Sequence, residues 1–252
     1  MSPLVLSAMT FAVILAGIIL GTILRKALPQ AHLDKESQDV VRLGAGLVAT
    51  IGALVLSLLI ASAKGTYDTK SSQVTQITAD VILLDNLLAE YGPEAAPIRV
   101  GLRSSIGPFV DRIWREESAR SNQPFSANAQ AEQVYLSIHS LSPQNDFQRS
   151  LQARAEQVVT SLAQTRLLLF VESENHIPAP FIAILVFWLV IIFTTYSLFS
   201  QLNATGLVFL SLFAFCASCA LFLILELNEP FTGFMHIPSN QLHNALAPLS
   251  QQ

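Results

Sequence analysis

Charge is what this 252-residue chain has least of. Only 13% of its residues are charged, against 52% hydrophobic, and the mean hydropathy is +0.49. Soluble domains carry about 25% charged residues, so composition alone excludes an ordinary soluble fold. Lys and Arg are scarcer than acids, 14 against 18, and form no dense cluster. Nucleic-acid surfaces need a basic stripe, so no nucleic-acid partner is expected. Cysteine is down to two residues, Cys216 and Cys219 in "CASC", which excludes a disulfide-stapled secreted fold. No Lys or Arg precedes the first apolar run, and that run is longer than a signal h-region, so it reads as a retained membrane helix. "AKGT" (63–66) lacks the frame of a phosphate loop. His236 and His243, with Glu226 and Glu229, match no metal-ligand spacing. With no nucleophile–base arrangement either, neither enzyme activity nor a cofactor is expected.

What is present is apolar length. Four uncharged segments are long enough to cross the hydrocarbon core, which takes about 20 residues as helix. They are Pro3–Leu24, Leu43–Ala63, roughly 179–199 and Leu202–Leu225. Between Glu174 and Glu226 no residue is charged, and "SQLNA" (200–204) is the break that makes a hairpin there. "CASC" lies mid-span without a second cysteine pair to relay electrons, so both thiols are read as buried structural residues. The expected organisation is 1–63 for spans one and two, 64–176 for a polar helical region, 177–227 for spans three and four, and 228–252 for a tail. The fold class is an all-α integral membrane protein: four transmembrane helices with an extramembrane helical hairpin domain inserted between spans two and three.

The polar region reads as helix throughout. Val74, Ile77, Val81, Leu84, Leu88 and Tyr91 follow 3,4 spacing, the pattern of a packed helical seam. Gly92 and Pro93 terminate it. A second helix carries Leu102, Ile106, Phe109, Val110 and Ile113, with Pro97 and Pro108 expected to interrupt it. "SARSNQPFS" (118–126) is a loop by composition. A third helix presents Val134, Tyr135, Ile138 and Leu141. A fourth starts at "SPQND" (142–146), with Leu151, Ala155, Val158, Leu162, Thr165 and Leu169 as a matching seam. The tail (239–249) is weakly amphipathic.

The seam does not stop at the membrane surface. Extended backward it runs through Lys70, Tyr67, Ala63, Ile60, Leu56 and Ala53, which predicts one unbroken helix from about Leu43 to Tyr91. Along it, Ala45, Ala49, Ala53, Ser57, Ala61 and Gly65 form a ridge of small residues every four positions. Such ridges let membrane helices approach closely. Gly17 and Gly21 give the first span a GxxxG patch of the same kind. These faces pack within one subunit, pack between subunits or line a pore.

"ASAKGTYD", "LLDNLLAEYGPEA" and "ELNEPF" carry a family likeness. Over essentially the whole chain the sequence resembles the bestrophin-like domain family of bacteria. The resemblance implies an oligomeric membrane protein of the bacterial inner (cell) membrane, related to pentameric anion channels whose second span lines a hydrophobic neck. On that likeness Ile51, Leu54 and Leu58 are pore candidates, and the partners are the lipid bilayer, further copies of the chain, and ions. It also implies a cytosolic helical domain. The charge count points the other way: Arg25, Lys26, Lys35 and Arg42 mark the 25–42 loop as cytoplasmic. The aromatic rings of the bestrophin neck and its acidic calcium clasp are not found in this sequence.

Lys64, Asp68, Lys70 and Glu226 fall where spans meet the polar region. They read either as interfacial anchors, with Lys snorkelling, or as an ion-concentrating vestibule. Lys64 and Asp68 are one helical turn apart, and Glu226 abuts the apolar span, where an acid is paired or functional. The expected function is a bestrophin-like ion channel. The alternative is a non-conducting scaffold or sensor whose helical domain binds a protein.

Overall fold

The computed structural model describes residues 2–29, 35–105, 107, 129–173, 177–200, 203–231 and 233–237. The described residues hold no strand. The helices are α1 (Pro3–Ala27), α2 (Lys35–Tyr91), α3 (96–105), α4 (Ala129–His139), α5 (Asp146–Ser173), α6 (Ala179–Phe199) and α7 (Ala204–Leu227). Four of them, α1, α2, α6 and α7, are long and apolar enough to cross a membrane. Two units divide the chain: Met1–Thr66 with Ile177–Asn228, and Tyr67–His176 with Glu229–Gln252. Ile106, Pro108, Phe109, Val110, Ile113, the 118–126 loop, His243 and the 239–249 tail lie outside the described residues.

In the first unit α1 packs on α6 and α7. Pro3 opens α1, where its missing N–H is no loss. Arg25 and Lys26 close it, complementing the negative end of the helix dipole. Ile14 and Ile18 meet Phe193 and Ala214 in a fully apolar core. Phe11 stands edge-on to Phe215 at 5.8 Å, and Ser197 Oγ donates to the Ile18 carbonyl at 2.7 Å.

The GxxxG patch explains the close approach. A Cβ on Gly17 would lie 2.7 Å from Thr194 Oγ1. One on Gly21 would lie 2.6 Å from the Thr194 carbonyl oxygen and 3.2 Å from the Leu198 nitrogen. The Gly21 neighbours are backbone and cannot rotate away. Gly21→Ala is therefore expected to destabilise the unit by about 2 kcal/mol, the usual scale of overpacking. Gly44→Ala, with nothing within 4 Å of the added methyl, is the control. Thermal unfolding in detergent compares them.

α2 is one helix of 57 residues, about 85 Å at 1.5 Å per residue. It begins eight residues before Leu43, because 35–42 is rich in helix formers and holds no Gly or Pro. Gly65 leaves it unbroken.

In the second unit the seam is the core. Leu84, Leu88 and Tyr91 of α2 bury against Ala95, Ile98, Leu102, Val134, Ile138, Leu151, Ala155, Val158 and Val159. Val74 and Ile77 meet Leu169, Phe231 and Ile237. Traced backward, Lys70 and Ala63 are buried and Tyr67 and Leu56 half-buried, whereas Ile60 and Ala53 are exposed. A straight helix drifts about 20° per heptad against a 3,4 repeat, and Leu59, Gly52 and Ala45 take over the buried face. Tyr135, expected on the packed face of α4, is exposed.

Caps fix the ends of these helices. Gly92 sits at φ 127° and turns the chain out of α2, while Gln148 Nε2 donates to the Tyr91 carbonyl at 3.0 Å. Pro97 falls in the first turn of α3 and does not interrupt it, since no N–H is needed there. Asn145 Oδ1 accepts from the Gln148 amide at 2.7 Å and caps α5. Gln152 Nε2 donates to the Ile138 and Leu141 carbonyls at the end of α4.

Candidate functional site

The four apolar helices differ in how much of each is covered by the rest of the chain. In the most apolar stretch of α2 only 11% of residues are buried, against 28% in α1 and 22% each in α6 and α7. Gly52, Leu59 and Ala63 turn inward, and a Cβ on Gly52 would lie 3.9 Å from the Trp188 ring. At 100° per residue, Leu47, Leu54, Leu58 and Ala61 lie on the opposite side of the same helix. Ile51, Leu54 and Leu58 are 42, 68 and 69% exposed, and their i, i+3, i+7 spacing puts them in one stripe.

The small ridge runs beside that stripe. Ala45 is buried and Ala49 half-buried, but Ala53, Ser57, Ala61 and Gly65 are exposed, and Gly44 and Gly65 meet nothing within 4 Å. The two small-residue patches therefore separate. Gly17 and Gly21 pack against α6 of the same chain, while the greater part of the α2 ridge is uncovered. Exposed positions on the other helices carry rings: Phe181 and Phe187 on α6, Phe209, Phe213 and Phe215 on α7. Span 43–63 of α2 has no aromatic residue at all. Phenyl rings suit contact with lipid chains; a small, ring-free face suits contact with another helix.

The charged candidates are not equivalent. Lys64 and Asp68 are exposed, one turn apart on α2, Lys64 in the first unit and Asp68 in the second. Glu226 is only 2% exposed at the end of α7. Lys70, a seam position that also read as an interfacial anchor or vestibule residue, is buried, its Nζ 5.9 Å from the centre of the Phe231 ring. The ring face offers the ammonium electrostatic attraction in place of water. Cys216 and Cys219, expected to be buried, are instead free and exposed on α7. Ala214, Ser218 and Leu221 take the inward face of that helix, and a thiol in lipid behaves as a small hydrophobe. Among the described residues no group of three or more His, Cys, Asp or Glu side chains could hold a metal.

Sequence reasoning passed over the strongest polar site. Asp85 is 1% exposed and sits beside the α2 seam. Arg99 Nη2 donates to Oδ2 at 2.8 Å and Nε to Oδ1 at 3.2 Å; Arg103 repeats the fork at 3.1 and 3.2 Å. Burial alone would raise the Asp85 carboxyl above its usual range. The hydrogen bonds and charges of Arg99 and Arg103 outweigh burial and hold it below that range. The signal was legible as a lone acid in "VILLDNLL" with two Arg four residues apart in "IRVGLR". Asp80, also buried, accepts from Gln76 Nε2 at 2.8 Å and from Ser161 Oγ at 3.1 Å, tying α2 to α5.

Comparison with known proteins follows the same line. A family model described as a bestrophin-like domain matches residues 12–242. A crystal structure of a bacterial bestrophin homolog from Klebsiella pneumoniae, determined as a point mutant, is similar in fold, with a TM-score of 0.69 at 14% identity. The match covers 97% of this chain and 99% of that one. No match was found among curated proteins.

Proposed function

Because the chain belongs to the bestrophin-like domain family, we propose that this multi-pass membrane protein is a homo-oligomeric ion channel of the bacterial cell membrane. Anions are the ions expected from the family. The observation that carries the reading is the uncovered face of α2. A face of small residues flanking a leucine stripe, without rings, fits helix contacts with neighbouring copies on the ridge side. It fits a conduction path on the Ile51, Leu54 and Leu58 side. Apolar constrictions of that kind gate by dewetting.

Residues 64–176 form an extramembrane helical hairpin domain in this reading, and Lys64, Asp68 and Glu226 belong to the mouth of the path. The protein moves ions and catalyses no reaction. Purified protein reconstituted into liposomes is expected to dissipate a chloride gradient, and to run in detergent as a multiple of 27.4 kDa. Absence of flux together with a monomeric size would sink the proposal. Absence of flux with stoichiometric capture of one protein by residues 64–176 would favour the scaffold or sensor instead.

A further inference from the structure

The geometry points to a binding site for a phosphate-bearing anion at the end of the first membrane span, with Arg25 and Arg42 as its ligands. Arg25 lies in the last turn of α1. Its Nη1 is buried and has no hydrogen-bond partner among the described residues. A guanidinium keeps its proton in any protein environment, so a donor held there needs an acceptor, and an anion answers its charge as well.

A second cation stands at the same end of the neighbouring helices. α1 and α6 run parallel: Gly17 lies against Val190 and Thr194, and Gly21 against Ser197 and Leu198. Continued by one helical turn, that pairing would set Arg25 level with the C-terminal end of α6. Arg42 Nη2 reaches that end from α2, donating to the Phe199 carbonyl at 3.4 Å. Lys26, exposed, extends the basic character of the α1 terminus. Asp39, one turn before Arg42, is exposed and makes no ion pair with Arg25 or Arg42 among the described residues.

The free carbonyls at the end of α6 account for the single long bond from Arg42. With Arg42 exposed and Arg25 half-buried, most of the ten N–H groups of the two guanidiniums, five on each, are open to water or to an anion. Phosphate oxygens match forked guanidinium donors better than any other common anion except carboxylate. At the end of three membrane-crossing helices, the phosphate groups at hand are those of phospholipid headgroups and of the aqueous phase. Basic pockets between membrane helices are where anionic headgroups bind.

The test uses the full-length protein in a neutral detergent. Its unfolding midpoint is followed with added phosphatidylglycerol, with phosphatidylcholine and with inorganic phosphate. The expected result is protection by phosphatidylglycerol over phosphatidylcholine. In Arg25→Gln and Arg42→Gln the half-maximal concentration should rise by about tenfold, the loss of one or two charge-assisted bonds. Arg149→Gln, at an exposed pair with Asp146 on α5, should respond as the wild type does. Protection by inorganic phosphate, lost in the same two variants, keeps the site and assigns its ligand to the aqueous phase. Equal responses of the wild type to both lipids, with none to phosphate, overturn the proposal, and this arm needs no variant to fold. So do variants that respond like the wild type.

Discussion

Asp85→Ala is expected to lower the stability of the helical unit by about 3–5 kcal/mol, the usual result of removing one partner from a buried ion pair. In a chain of this size that lowers the unfolding midpoint by roughly 10 °C. The carboxylate accepts four guanidinium hydrogen bonds. Arg99 and Arg103 remain half-buried when it is gone and then face each other as like charges. Asp85→Asn keeps the shape and removes the charge, so it should fall between the wild type and Asp85→Ala. The pH dependence gives an independent check. A carboxyl held below its unfolded value contributes stability that is complete above the ordinary carboxylate range, near 3.9. That contribution is lost as pH falls through the folded value. The wild-type advantage over Asp85→Asn should therefore be constant from neutrality to about pH 5 and shrink below pH 4. Chemical denaturation followed by circular dichroism across that range measures both.

Ala53→Phe or Ser57→Phe is expected to abolish assembly and lower liposome flux by about tenfold or more, because small ridges are what let membrane helices close on one another. The subunit itself should be unaffected, since both positions are exposed in it. That separation is the useful part: helix content and the unfolding midpoint at low protein concentration stay at wild-type values while the size in detergent falls. Gly21→Ala should do the reverse and weaken the subunit before the assembly. If the phenylalanine variants destabilise the subunit as much as Gly21→Ala does, the ridge packs inside it and the assignment of that face is wrong.

The spans were legible from uncharged apolar length, and the seams from their period. Val74 to Tyr91 and Leu151 to Leu169 repeat at 3,4 intervals, and a buried helix face has no other way to write itself. The point where the seam changes register was not legible. Ile60 and Ala53 look as good as Leu59 and Gly52 until the drift of a long straight helix is counted. The Asp85 cluster was missed for a different reason. Its partners lie 14 and 18 residues away across the Gly92 turn, and helix periodicity says nothing about pairing between helices. Lys70 and the two cysteines show the limit of residue-type expectations. Lys70 read both as a seam position and as a charge at the interface; it follows the seam and lies near a ring. Two thiols were expected in a core and lie on an outer helix face, because in lipid the outside of a helix is apolar too.

The most direct test of a conduction path along α2 is thiol block at Leu58. In a chain with Cys216→Ser and Cys219→Ser, Leu58→Cys is reconstituted and exposed to a charged, water-soluble thiol reagent, with Leu223→Cys on the exposed face of α7 as control. The expected result is loss of most of the chloride flux in Leu58→Cys and none in Leu223→Cys. Full modification of Cys at position 58, verified by mass, with flux unchanged would contradict the account.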